Sequence, residues 1–272
     1  MMISPMIMIR SLSFTASRDW WYRLTFSHAG LVSVLSDLGE GTTMHCWVPR
    51  VYKQSKPNLL LVYGFGANAM WQYSGVLDHF IPKYNVYVPD LLFFGRSYTT
   101  QKERSETFQA RCLMKLMHIH GVQKASFVGI SYGGFVGYSM ANQFPDAVEK
   151  AVLCCTGVCL EEKDLKERLF KVQDLDEAAK VLMPQSANKL RELMKLSFVK
   201  PPKGVPNWLL TDFINVMCKE NCLKKYSRIG NSQIYQRSHI LNNNVMECNS
   251  IKEGRLMANL EYGVETIFSA AQ

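Results

Sequence analysis

Over the first 157 residues, short apolar runs alternate with stretches of helical spacing. Residues 31–38 and 42–48 read as two strands joined by the turn Gly39-Glu40-Gly41, hence an antiparallel hairpin. Residues 58–63 (NLLLVY) and 85–89 (NVYVP) are nearly all apolar, as strands buried on both faces must be. A Gly-rich turn, Gly64-Phe65-Gly66, follows the first of these, and residues 69–80 read as a helix. Residues 90–98 form a loop. Residues 106–120 place Phe108, Cys112, Leu116 and Ile119 on one side of a helix that Gly121 stops. A strand over 124–130, a helix over 133–144 and a strand over 148–155 complete the pattern. Repeated strand–helix–strand units at this spacing predict a mainly parallel, doubly wound α/β sheet.

After Gly157 the texture changes. Residues 161–170, 176–183, 187–198 and 208–218 are helix-like, separated by Pro184, Pro201, Pro202 and Pro206, which reads as a helical insertion. From Tyr226 to Gln272 periodicity is weak and no buried-strand run occurs. The expected organisation is an N-terminal extension (1–25), an α/β core (26–157), a helical insertion (158–222) and a divergent tail without core strands (223–272).

Composition narrows the function classes. A chain of 272 residues with 47% hydrophobic and 20% charged residues can bury one large core. The net charge of +8 is scattered, with no Lys/Arg stripe interleaved with aromatics, so no nucleic-acid partner is expected. The eight cysteines fall in apolar runs, and Cys218 and Cys222, one helical turn apart, lack a second pair to complete a zinc site. Free thiols in a reducing compartment, with no metal and no cofactor, are the expectation. The segment MMISPMIMIR has no basic region ahead of its apolar residues, and no run approaches the ~18 apolar residues of a membrane span. A soluble, cytoplasmic protein is expected, with organelle targeting left open by the Ser/Arg content of residues 11–18.

The chemistry concentrates at Gly129-Ile130-Ser131-Tyr132-Gly133-Gly134. Three fixed positions of a G-x-S-x-G pattern arise by chance in about one chain in ten of this length. Its placement between a buried strand and a helix is what identifies a nucleophile elbow. There a strained turn lifts the serine to the carboxyl edge of the sheet, flanked by glycines because a Cβ would strike the neighbouring strand and helix. The helix N-terminus aims its amides at charge developing on a substrate. Tyr63-Gly64-Phe65-Gly66 supplies the second loop, making the backbone N–H groups of Phe65 and Tyr132 the candidate oxyanion donors.

The blocks GFGANAMWQ, NVYVPDLLFFG, SYGGFVGYSMANQFP, VLCCTGVCLEEKD and LRELMKLSFVKPPKGVP carry a resemblance over residues 13–222. They resemble a plant-type α/β-hydrolase group related to monoacylglycerol-lipase-like and C–C-bond hydrolases. The resemblance implies an α/β-hydrolase fold with a helical lid after the sixth strand, and small apolar or acyl-ester substrates. It implies Ser131 as nucleophile, Phe65 and Tyr132 as oxyanion donors, and residues 161–218 as the lid. The lid residues Leu169, Phe170, Leu182, Met183, Leu193, Met194, Phe198, Trp208, Leu209 and Leu210 either wall an acyl pocket or form helix-to-helix core.

Two departures from that family stand out. Tyr63 replaces the histidine that usually orders the oxyanion loop. The acid expected in a stretch like TLIIWGEQD and the histidine expected near GHA have no counterpart, so the last two strands are expected to be missing and the edge of the strand at 148–155 to be free. Of His28, His45, His79, His118, His120 and His239, the first five suit structural or surface roles. His120 sits at a helix C-terminus, where a cation is favoured. His239 lies in the right part of the chain but without strand or acid around it. One synonymous-codon reading of 224–241, shifted by two nucleotides, is KILQDRKLPNIPEITHP, which resembles the family's approach to its seventh strand. The chain is therefore expected to leave its ancestral frame near Lys224. The expected function is an ester hydrolase impaired by loss of the acid and base, the alternatives being a ligand-binding protein without catalysis and a truncated product.

Overall fold

The apolar runs became strands almost as the sequence places them. The structure is a computed structural model that describes residues 13–156, 158, 182–198, 200–218 and 245–248. The hairpin is β1 (Leu31–Gly39) and β2 (Thr42–Pro49), followed by β3 (Asn58–Val62), β4 (Asn85–Pro89), the short β5 (Tyr98–Thr99), β6 (Ala125–Ile130), β7 (Val148–Cys154) and β8 (Val245–Cys248). They form one eight-stranded sheet in the order β1-β2-β4-β3-β6-β7-β8, with β5 beside β2. Pairs involving β1, β2 and β5 are antiparallel, and all pairs from β4 to β8 are parallel.

The central strands β3 and β4 bury nearly every side chain: Leu60, Leu61, Val62, Val86 and Val88 have no exposed surface. That is the burial an all-apolar run demands when helices cover both faces. Those helices are α1 (Phe14–His28), α2 (Ala69–Tyr73), α3 (Leu77–Phe80), α4 (Glu106–Ile119), α5 (Tyr132–Gln143), α6 (Ala187–Ser197) and α7 (Asn207–Phe213), the last running into a π turn, Ile214–Cys218. α5 packs against β6 and β7 and against α4. Side-chain oxygens of Ser13, Asn68, Ser105 and Ser186 cap α1, α2, α4 and α6.

Four features differ from the sequence expectation. The helix expected over 69–80 breaks into α2 and α3 around Ser74-Gly75-Val76, where glycine lowers helix propensity. Residues 98–99 pair with β2 although their surroundings read as loop. Residues assigned to an extension instead build α1, which packs against α2 and α7. The free edge expected on β7 is occupied, because Val245–Cys248 pairs in parallel with residues 151–154. Ladder bonds come from the backbone, so a four-residue segment without an apolar run can still supply them. The expected helices over 161–170 and 176–183 lie almost wholly outside the described residues. None of the described helices is long and apolar enough to cross a membrane.

Candidate active site at the β6–α5 turn

Ser131 joins β6 directly to α5 at φ +53° and ψ −118°, a region that non-glycine residues rarely occupy and that costs about 1–3 kcal/mol. Two backbone bonds hold it there. The Ser131 N–H donates to the Cys154 carbonyl at 2.8 Å, extending the β6–β7 ladder, and the Gly134 N–H donates to the Ser131 carbonyl at 2.9 Å. Close approach explains the neighbouring glycines. A Cβ on Gly133 would lie 2.3 Å from the Val62 carbonyl oxygen, and one on Gly64 would lie 2.6 Å from the Ser131 Cβ. The ends of β3 and β6 therefore press on each other with no room for side chains, as the G-x-S-x-G reading requires.

The loop after β3 has its own supports. Tyr63 is buried, and its hydroxyl donates to Asp90 Oδ1 at 2.9 Å. The Gly64 N–H donates to Gln72 Oε1 at 3.3 Å. Phe65 packs its ring 5.1 Å from Tyr132 and 5.3 Å from Phe94. Asn68 caps α2 and also donates to Asp19 Oδ1 of α1 at 2.6 Å, where the Trp71 indole N–H joins it at 3.1 Å. The loop that lacks the usual histidine is thus ordered by Tyr63 and Gln72 from below and by α1 from the side.

A cavity of about 410 Å³ opens above Ser131. Of the ten lid residues named from the sequence, Leu182, Leu193, Met194, Phe198, Leu209 and Leu210 line it. Met183 is buried without lining it, Trp208 turns outward at 65% exposure, and Leu169 and Phe170 lie outside the described residues. The apolar stripe both lines the cavity and forms helix-to-helix core, because Leu210 also packs with Leu190, Ile214 and Cys218. Sequence reasoning missed the wall contributed by Phe14 and Thr15 of α1. The one local signal was Ser13 as an N-cap; the exposed Trp20 and Trp21 blur any apolar face. Across the cavity, α1 is tied to α7 through Asp212, whose carboxylate accepts from the Thr15 N–H at 2.8 Å. Partial burial works against the Asp212 charge, but hydrogen bonds from Thr15 and Ser13 outweigh it and hold the carboxyl below its usual range.

Among the described residues lining this cavity, the polar ones are Thr15, Gln72, Ser131 and Ser197, with no histidine or carboxylate. His28 ends α1, His45 lies in β2, His79 in α3, and His118 and His120 at the end of α4; His239 is outside the described residues. The cation expected at His120 is disfavoured. Burial lowers its pKa, and its Nε2 lies 3.1 Å from the Ser36 hydroxyl. Here desolvation outweighs the helix terminus.

Comparison with known proteins agrees with this architecture. A family model described as alpha/beta hydrolase fold matches residues 57–194. An uncharacterized protein of Mycobacterium tuberculosis is 29% identical over 128 residues, 47% of this chain and 37% of that one. A monoacylglycerol lipase abhd6-B of Xenopus laevis is 27% identical over 186 residues, 64% of this chain and 54% of that one. The chain thus spans well under two thirds of the length of these curated relatives. A bacterial membrane phospholipase A structure superposes with a TM-score of 0.66 at 19% identity, covering 92% of this chain and 83% of that one.

Proposed function

Because the chain belongs to the α/β-hydrolase fold family, we propose that its site is that of an ester hydrolase, a carboxylesterase or monoacylglycerol-lipase-like enzyme with Ser131 as nucleophile. The observation that carries this reading is the strained Ser131 backbone at the floor of an apolar cavity. Strain of this kind persists only where the surrounding structure enforces it, and it clusters at working sites. In this reading the N–H groups of Phe65 and Tyr132 receive the oxyanion, and the lid helices α6 and α7 with α1 enclose the acyl chain. The similarity to a protein named monoacylglycerol lipase supports an acyl-ester substrate.

Turnover is impaired in the same reading. A serine hydroxyl is a weak nucleophile without a base. Removing the histidine of a serine-protease triad costs on the order of 10⁶ in turnover, with about 10³ over water left to the oxyanion hole and binding. A fluorophosphonate probe tests this: slow labelling mapped to the Ser131 peptide and absent from Ser131→Ala is the expected result. Absence of label at Ser131 in folded protein would remove the nucleophile assignment.

A second reading, a binding protein for small apolar ligands, is favoured by the lack of any imidazole or carboxylate among the described residues that line the cavity. It expects an unlabelled protein with a cooperative melt that long-chain esters raise. The plant-type grouping and the change of frame near Lys224 belong to the first reading. An intact frame through Gln272 in the transcript and the genomic locus would end the frame-change part alone.

A further inference from the structure

The buried polar cluster beneath β1 has the order of a catalytic relay. His45 and Asp90 are 3% and 6% exposed, while Ser33 is open to solvent on β1. Ser33 Oγ lies 2.8 Å from His45 Nε2. On the other side of the ring, Nδ1 lies 2.9 Å from Asp90 Oδ2, an approach too bent for a linear hydrogen bond. Asp90 is held from three sides: Tyr63 donates its hydroxyl to Oδ1 at 2.9 Å, the Arg96 N–H donates to Oδ2 at 3.0 Å, and the Asp90 carbonyl accepts from Ser97 at 2.6 Å. The Ser97 hydroxyl oxygen in turn accepts from the His45 N–H at 2.9 Å.

The chemistry follows from which atom holds the proton. A carboxylate beside Nδ1 favours the tautomer protonated there, leaving Nε2 to accept from the Ser33 hydroxyl. The Arg96 guanidinium donates to Ser33 Oγ at 3.1 Å and places positive charge beside the hydroxyl, which eases the departure of its proton. Hydroxyl, imidazole and carboxylate in that order form the constellation that activates a serine. Such sets are recognised by geometry and role, not by order in the chain. Free enzymes often hold these bonds bent, and they tighten only when substrate arrives.

We propose that Ser33 is a second acylatable serine, separate from the Ser131 cavity, relayed by His45 and Asp90 and taking short, activated acyl or organophosphorus donors. Ser33 Oγ attacks the acyl carbon and forms the new C–O bond, while its proton passes to His45 Nε2. The bond from that carbon to the leaving alkoxide or phenolate breaks, and the proton on Nε2 leaves with it, giving an acyl-serine and a free alcohol. With a fluorophosphonate the new bond is to phosphorus, the P–F bond breaks, and fluoride takes the proton. A short donor is favoured because Ser33 stands on an exposed strand face rather than in the apolar cavity.

The test uses the full chain carrying Ser131→Ala, treated with p-nitrophenyl acetate or a fluorophosphonate and read by peptide mass mapping. The expected result is modification of Ser33 that disappears when Ser33→Ala is added. Adding His45→Gln should slow it by about 10²–10⁴-fold, the usual contribution of a positioned base. His45 is buried, so the exposed Arg96→Ala is the parallel variant should His45→Gln not melt cooperatively. It should slow labelling by about 10-fold or more, because a neighbouring cation favours the charge that builds on Oγ as its proton leaves. Folded Ser131→Ala protein with Ser33 unmodified, or labelling that neither variant changes, would overturn the proposal. Because adducts are assigned by residue, failure here is distinct from failure at Ser131.

Discussion

Replacing Gly133 by alanine probes the turn that the whole site depends on. The added methyl would sit 2.3 Å from the Val62 carbonyl oxygen, 2.7 Å from its carbon and 2.9 Å from the Tyr63 carbonyl oxygen. Ordinary carbon contacts need about 3.5 Å, and all three obstacles are backbone of β3 or its end, which cannot rotate away. α5 must therefore move off β3, disturbing the Gly134-to-Ser131 bond at its start. Overpacking of this kind costs roughly 1–3 kcal/mol and occasionally more, and backbone on both sides argues for the upper end, about 3 kcal/mol. For a domain of this size that lowers the melting temperature by roughly 6–12 °C. Gly75→Ala is the matched control, since its Cβ meets nothing within 4 Å and no left-handed φ is involved. Urea and thermal unfolding of the two variants, side by side, read the difference. A Gly133→Ala protein within about 0.5 kcal/mol of Gly75→Ala would refute the close approach of β3 to α5.

Three further outcomes are expected. Ser131→Gly should be more stable than Ser131→Ala by about 1 kcal/mol in the same unfolding assay, because glycine relieves the left-handed backbone and alanine does not; equal stabilities would argue against strain. Tyr63→Phe removes a donor from the buried Asp90 carboxylate and should cost about 1–3 kcal/mol in denaturant midpoint analysis, whereas a neutral change would mean water replaces the hydroxyl. The folded-state pKa of His120 lies below the ordinary 6.5 because of burial. The unfolded chain therefore takes the proton first as pH falls, and stability is lost from about 6.5 downward until the folded form is protonated too. His120→Gln should flatten that part of the stability–pH curve, measured as the difference between the two proteins across pH 7 to 5.

Legibility followed the range of the forces involved. The strands over 58–62 and 85–89 could be read because full burial needs unbroken apolar runs. The site turn could be read because its tight packing excludes side chains, so glycine flanks Ser131 on both sides. Of the lid wall, Leu193, Met194, Phe198, Leu209 and Leu210 were legible as apolar positions on helical stretches, but Trp208 was not separable from them. The side of a helix that faces a cavity depends on how that helix docks.

What local pattern alone determined about this protein is its alternating α/β order, the hairpin at its start and the strained serine between β6 and α5. Tertiary structure decided the rest. It brought Phe14 of α1 over the cavity, laid Val245–Cys248 beside β7, and joined Ser33, His45 and Asp90 although the first and last are 57 positions apart in the chain. Periodicity and glycine placement act between neighbours in the chain, so they leave a mark in the sequence. A contact between distant segments is chosen by the packing of everything between them, and no single stretch records it.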